Sequence, residues 1–558
     1  MKSEELIEKH ALANAVQHNG KASMGAVMGR VLADDPALKK NISKLQEKLA
    51  EIVKKVNRMN SDEQENRLLK LWPDFFKPKE KSKEPRELPY LPGAKMGKVV
   101  TRLGPEPNGY LHIGHAISFF FNEYYAKKYK GKLILRFEDT NPEKEKKEFY
   151  DSIAEDLAWL GIIYNERKNN SDDLKLFYKK AEELIKSGNA YVCSCPVEVS
   201  RKNRFEGIEC GCRNQDAATN LKLWKGMLKD APAGTAVLRL KADMQSRNTV
   251  MRDPTLFRIV EAEHPMQVEK YRVWPLYDFA NAVEDGICGV THVLRSNEFK
   301  QRDELQNKIR DLLGLTNPVI ISYSRITASG APTSKREIAP LIESGAVTGW
   351  DDPRLVTLKG LRRRGILPET LRLLALEVRM TKGSTTIDYK TIFGINRRIL
   401  DEQAARYFFV PNPVKLNVKN APGKTAELKM HPNYPERGTR KIKTSDTFYI
   451  SAEDEDSFKR GEWFRLKDLF NVRYMGKGKS EFDSLGVKPD TRKIQWVTKD
   501  YTEIEVIVPG EIGKGGLKKV KGFAEKSVEK IKPDSIVQFE RFGFCKKNSD
   551  GTFVLAHK

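Results

Sequence analysis

Acidic side chains are undersupplied in this 558-residue chain, with 76 Asp and Glu against 99 Lys and Arg, a formal charge of +23 and an isoelectric point near 9.4. An excess of that size favours a polyanionic partner. Long hydrophobic runs are missing as well. No apolar stretch approaches the roughly 20 residues that a membrane helix requires. The first residues, Met1-Lys2-Ser3-Glu4-Glu5, lack the apolar core of a secretory signal and carry acids that a transit peptide avoids. Cysteine is scarce, at six, which argues against a disulfide framework and leaves metal binding open. The expected setting is the cytosol.

Single cores rarely grow beyond roughly 250–300 residues, so several domains are expected. Residues 1–95 read as a helical extension with a linker. Ile42, Leu45, Leu49, Ile52 and Val56 recur at steps of three and four, one face of an amphipathic helix. Asn60-Ser61, followed by Glu63 and Glu65, reads as the cap of a further helix that runs to Trp72. Lys77 to Pro92, rich in Lys, Glu and Pro, reads as a solvated linker.

From Lys98 strands and helices alternate, which predicts a parallel Rossmann-type sheet over 96–345 with ligands at the carboxyl ends of its strands. Val99 to Leu103, Lys132 to Phe137 and Pro318 to Tyr323 read as its strands. A cysteine-bearing insertion is expected over about 191–273, and a helical region over 346–405. The Arg362-Arg363-Arg364 run in that region is either a solvated face or a phosphate contact. From 406 to 558 short alternating segments such as Thr447 to Ile450, Glu503 to Val508 and Ser535 to Phe539 predict one or two β-barrels.

The most informative string is Thr101-Arg102-Leu103-Gly104-Pro105-Glu106-Pro107-Asn108-Gly109-Tyr110-Leu111-His112-Ile113-Gly114-His115-Ala116. A strand passes through a Pro/Gly loop into a helix whose first turn carries two imidazoles, His112 and His115, around Gly114. Free N–H groups at a helix N-terminus attract phosphate. A glycine there leaves the backbone open to a flat ligand such as adenine. The string resembles the HIGH signature of class I aminoacyl-tRNA synthetases, and its flanks are similar to the glutamyl/glutaminyl branch in its archaeal and eukaryotic form. That resemblance implies ATP bound over Pro105, Gly109, His112, Gly114 and His115, with the two histidines stabilising charge on the phosphates as a carboxylate attacks the α-phosphorus. It also implies that the insertion holds the acceptor end of tRNA and that paired C-terminal β-barrels read the anticodon. Bacterial glutamyl enzymes resemble a helical cage there instead.

Ser324-Arg325-Ile326-Thr327-Ala328-Ser329-Gly330-Ala331-Pro332-Thr333-Ser334-Lys335-Arg336 resembles the family's KMSKS loop. Pro-Thr replaces Lys-Met, while Ser334 and Lys335 stay in register. A reaching lysine suits the pyrophosphate leaving group. A pocket for glutamate needs at least two cationic or donor groups and one acid. The resemblance assigns Arg102, Glu138, Tyr277, Asn281 and Arg295 to it, with Glu138 for the substrate ammonium. Tyr277 and Asn281 lie one helical turn apart. Arg295, Glu138 and Asn281 look glutamyl, and an arginine facing a neutral amide would lack a charged partner. The other reading of Arg295 and Tyr277 is that they brace a strand end.

Cys193-x-Cys195 and Cys210-x-Cys212 suit a tetrahedral structural Zn²⁺ site, although the one-residue gaps are tight, and free thiols remain the alternative. Cys288 and Cys545 read as isolated core thiols. Taken together the expectation is a multidomain α/β plus all-β protein: a Rossmann-type class I synthetase catalytic domain with an insertion, a helical stem region, C-terminal β-barrels and an N-terminal helical extension. The activity this implies is glutamate–tRNA ligation, using ATP with Mg²⁺, L-glutamate, tRNA(Glu) and, left open, tRNA(Gln), by a cytoplasmic monomer. The alternatives are a glutaminyl-tRNA synthetase and a noncatalytic tRNA-binding relative.

Overall fold

A computed structural model of the chain describes residues 3–17, 20–73, 75 and 87–558. The chain divides into two compact units, Met1–Pro85 and Arg86–Lys558. The first holds four α-helices among its described residues, Ser3–Gln17, Met24–Asp34, Ile42–Val56 and Ser61–Leu71. The helix over Ile42–Val56 buries Leu45, Leu49, Val53 and Val56, so Val53 joins the seam while Ile42 stays exposed at 45%. Asn60 caps the next helix through a reciprocal capping box with Glu63, as Asn and Glu at that spacing can. The linker expectation over 77–92 lies, for residues 77–86, outside the described residues.

The second unit is built on parallel strands. β1 (Val100–Leu103) leads through the loop 104–112 into α1 (Ile113–Lys128), then β2 (Lys132–Phe137) and β3 (Glu166–Asn169) follow. The order in the sheet is β1-β2-β3, all parallel. α2 (Tyr277–Ile287) precedes β4 (His292–Ser296) and β5 (Val319–Tyr323), a parallel pair. Thr291 joins that pair to β1: its N–H donates to Val100 O at 3.0 Å, and Val100 N–H donates to Thr291 Oγ1 at 2.8 Å. β1 is therefore flanked by β2 on one side and by the β4–β5 pair on the other. That is the switch point where an open α/β sheet receives its ligand. α1 covers the sheet with Ile113, Ile117, Phe120 and Phe121, all buried.

A second, antiparallel sheet of four strands spans Ala190–Cys193, Val237–Leu240, Thr255–Ile259 and Val273–Pro275, and its core includes Trp224 and Trp274. Helices Leu358–Arg364, Pro368–Val378 and Tyr389–Gln403 follow the parallel sheet. Among them sits a short strand, Thr385–Ile387, which the helical reading did not anticipate. It pairs with Ile326–Ala328, and three residues are too few for a periodic signal. Arg364 is neither a solvated face nor a free phosphate contact: it is buried, donates to Ala556 O and Pro353 O, and lies 4.6 Å from the Phe393 ring centre. The remainder forms sheets of six and seven strands with separate hydrophobic cores around Trp496 and Phe539.

Gly131, between α1 and β2, leaves no room for a side chain, since a Cβ there would stand 1.9 Å from Val99 O. That oxygen also accepts the Lys132 N–H that starts β2. We predict that Gly131→Ala destabilises the sheet by several kcal/mol, the scale of overpacking with backbone shift at about 1–3 kcal/mol or more, read as a lowered thermal midpoint or loss of soluble protein.

Candidate active site

The loop 104–112 ends in His112, the N-cap of α1. The His112 ring turns back so that its Nδ1 accepts Gly114 N–H at 3.1 Å, while His115 Nδ1 accepts His112 N–H at 3.2 Å. The two rings stand 3.9 Å apart, centre to centre. With both Nδ1 atoms accepting, each proton sits on Nε2. Burial, then the neighbouring His115 and Arg325, hold His112 well below the ordinary histidine range, and burial lowers His115 to about 4. At neutral pH the pair is therefore two uncharged N–H donors. Gly114 is required for a different reason from the one expected. A Cβ there would meet His112 Cε1 at 2.9 Å and Ile326 O at 3.0 Å, so the protein itself occupies the space.

These rings open onto a cavity of about 760 Å³ at the carboxyl ends of β1, β2, β4 and β5. The same cavity is lined by Arg102, Pro105, Gly114, Glu138, Tyr277, Asn281 and Arg295. Ser334 and Lys335 lie outside this lining. Ser334 caps α3 (Lys335–Glu343) in a box with Glu337. Lys335 Nζ donates to Asn108 O at 2.9 Å, and its Cδ lies 3.8 Å from where a Gly109 Cβ would stand. The lysine thus rests against the loop that carries the histidines.

The cavity has a buried ionic floor. Arg136 near the end of β2 and Glu138 just beyond it are two residues apart, the spacing that shares one face of an extended chain. Spacing by four puts Tyr277, Asn281 and Asp285 on one face of α2. Asp285 Oδ1 accepts Arg136 Nη1 at 2.8 Å and Arg102 Nε at 3.2 Å. Asn281 Oδ1 accepts Arg136 Nη2 at 2.9 Å and Arg102 Nη2 at 3.3 Å. Glu138 Oε1 lies 3.5 Å from Arg136. Arg136 and Asp285 were not foreseen from sequence. The third residue at the 277/281/285 spacing and the alternate residue before Glu138 were the signals that could have found them.

The premise that Arg295 would lack a charged partner is overturned. It donates to Asp303 Oδ1 at 2.5 Å and to Gln306 Oε1 at 2.9 Å. Asp303 opens the helix just after β4, an approach that only the fold creates. Arg295 therefore faces the cavity already neutralised, and its Nε has no partner among the described residues.

Cys193, Cys195, Cys210 and Cys212 converge, with all four Sγ atoms within 4.8 Å of one another. Cys193–Cys210 and Cys195–Cys212 stand 3.9 and 3.8 Å apart. Tetrahedral zinc with Zn–S near 2.3 Å sets S···S at about 3.8 Å, so the donor set fits. Cys545 is buried as expected. Cys288 is only half-buried, and its Sγ lies 3.5 Å from Glu284 Oε2.

A parallel sheet with an imidazole pair at its switch point and an ion-lined cavity beside it is matched by the family model for tRNA synthetases class I (E and Q), catalytic domain, over residues 98–402. Two models for the anti-codon binding domain of the same group match 404–486 and 482–548. The chain belongs to the class I tRNA synthetases of the E and Q group. It is similar over its whole length to a glutamate–tRNA ligase of Pyrococcus furiosus, 42% identical across 100% of both chains. A glutamate–tRNA ligase of Nitrosopumilus maritimus is 41% identical over 99% of each chain, and one of Pyrococcus horikoshii is 42% identical over 100% of this chain and 99% of the relative. No helix among the described residues is long and apolar enough to cross a membrane.

The histidine geometry sets a pH dependence. Both folded pKa values lie below the unfolded value near 6.5. Above about pH 6.5 neither state protonates these rings, and the full stability is present. As pH falls from 6.5 towards 4 the unfolded chain takes up protons first, so stability is lost over that window. Imidazole NMR of the intact chain is expected to show His115 titrating near pH 4, with both rings as Nε2–H tautomers at pH 7. A midpoint near 6.5 for His115 would contradict the enclosure described here.

Proposed function

We propose that this chain is a glutamate–tRNA ligase that forms glutamyl-adenylate from L-glutamate and ATP and transfers glutamate to the 3′ end of tRNA(Glu). The observation that carries the reading is that one cavity holds both the imidazole pair and the Arg102, Glu138, Tyr277, Asn281 and Arg295 set. The full-length likeness to archaeal enzymes of that name supports it. Class I chemistry uses ATP with Mg²⁺. The glutamate α-carboxylate oxygen attacks the α-phosphorus, the bond to the bridging oxygen breaks, and pyrophosphate leaves with the electron pair. Neutral Nε2–H donors on His112 and His115 stabilise the charge that grows on the phosphate oxygens, at low cost because they are held in place beforehand. Lys335 leaves the Asn108 carbonyl to meet the departing pyrophosphate, with Ser334 fixing the start of its helix. Glu138 takes the substrate ammonium, and the arginines take carboxylates.

The proposal is of a monomer that works in the cytosol. Pyrophosphate exchange that depends on glutamate, ATP and tRNA tests the activity. Charging assays on purified tRNA(Glu) and tRNA(Gln) separate a ligase for the first from one that serves both. Arg295→Cys is expected to lower glutamate kcat/KM by roughly tenfold to a hundredfold, the scale of a lost charged hydrogen bond, at an unchanged level of folded protein. Wild-type glutamate kinetics in that variant would count against the assignment.

The four-cysteine cluster is assigned a structural Zn²⁺. The helix Val197–Glu206 between the two pairs buries none of its residues, so its packing alone anchors it poorly, and a metal tying Cys193 and Cys195 to Cys210 and Cys212 would fix both its ends. One zinc per chain is expected by elemental analysis, and chelation is expected to raise amide exchange across 193–212. Metal-free protein with unchanged exchange there would remove the zinc.

A further inference from the structure

The amide of Asn281 is held in one orientation by two arginines, one of which, Arg136, lies outside the ligand-contacting set. Its Oδ1 accepts from two guanidinium groups, Arg136 Nη2 at 2.9 Å and Arg102 Nη2 at 3.3 Å. Its Nδ2 has no partner among the described residues, although the whole side chain is 0% exposed. A buried amide N–H without an acceptor costs free energy unless a ligand supplies one. Arg295 Nε is in the same condition at 5% exposure. Both residues line the cavity.

Arg136 is itself fully buried, and it ties together three parts of the pocket: Asp285, Asn281 and Glu138. Asp285 shares its single negative charge between Arg136 and Arg102. Without that carboxylate, two guanidinium groups on one amide oxygen would repel each other. Were the Asn281 amide turned over, its N–H groups would face the N–H groups of both arginines.

We propose that Arg136 and Asp285 are positioning residues of the amino acid pocket. They fix Asn281 with its N–H turned towards the bound amino acid, and they hold Arg102 beside it. The unpaired groups on Asn281 and Arg295, the Nδ2 and the Nε, are then both donors. An ionised carboxylate, which only accepts, satisfies them, whereas a carboxamide placed there must set N–H against N–H. This rests on the ligase reading and deepens it.

The test is glutamate-dependent pyrophosphate exchange with the full chain, tRNA and ATP. Arg136→Lys keeps the charge near Asp285 but removes the Nη2 bond to Asn281. It is expected to raise the KM for glutamate at least about tenfold, the order of one lost charge-assisted hydrogen bond, with kcat and the KM for ATP changed less than about threefold. Asn281→Asp presents two equal oxygens, so its orientation is indifferent. In that background Arg136→Lys is expected to change the glutamate KM less than about threefold, which is the non-additivity of coupled neighbours. Asp285→Asn, which keeps shape and removes the charge, is the second variant if Arg136→Lys does not fold, with the same expected rise in KM for glutamate. A folded Arg136→Lys or Asp285→Asn enzyme with the wild-type glutamate KM overturns the proposal, as does a full tenfold effect of Arg136→Lys in the Asn281→Asp background. Absence of exchange in the unaltered chain would sink the ligase reading instead, so the two failures are distinguishable.

Discussion

Two guanidinium groups from neighbouring strands, Arg102 on β1 and Arg136 on β2, are buried against the single carboxylate of Asp285 on α2. Desolvating three charges is expensive, and a well-packed apolar cluster in that volume would often be at least as stable. Its contribution is geometric. Because Asp285 and Asn281 sit one turn apart, each guanidinium is tied to the helix at two points, and the strand ends can only meet α2 in one register. The orientation of the pocket follows from that fixed register.

The imidazole pair works by the opposite logic. It carries no charge near neutral pH because enclosure denies it one, and its polarity is set by backbone N–H groups at the start of α1. Neutral donors held in place can follow a developing phosphate charge without surrendering strong prior partners. Under the proposed reading the positive charge of the whole chain would act on a polyanion at a distance, where screening allows roughly 10 Å of reach, while the chemistry would rest on uncharged donors at contact. The attraction is general and the donors are local.

Arg295 shows how an expectation about a residue can rest on an incomplete reason. It stands near the end of β4 and on the cavity wall. The argument that only a ligand carboxylate could neutralise it fails, since Asp303 already does so. What the site lacks is an acceptor for specific N–H groups, on Arg295 and on Asn281, rather than a counter-charge. Selectivity in such a pocket is a matter of donor and acceptor directions more than of net charge.

The strand–loop–helix around His112, the pairing of cysteines in twos, and the shift to alternating β segments after residue 406 were legible because each is a local pattern whose period or spacing is written in consecutive residues. So was the class of chemistry, because His112, Gly114 and His115 fall within one turn. Arg136 was not, since an arginine in the middle of an apolar strand carries no sign of what it faces. Nor was Asp303, which reaches Arg295 only because the 3₁₀ turn Asn297–Arg302 after β4 brings the start of its helix back to the strand, nor Lys335, whose resting place on Asn108 spans more than two hundred residues of sequence. The order of residues determined which groups this protein can bring to a phosphate and a carboxylate. Only the folded sheet decided which of their hydrogen atoms are left unpaired, because that depends on partners from distant segments competing for the same oxygen.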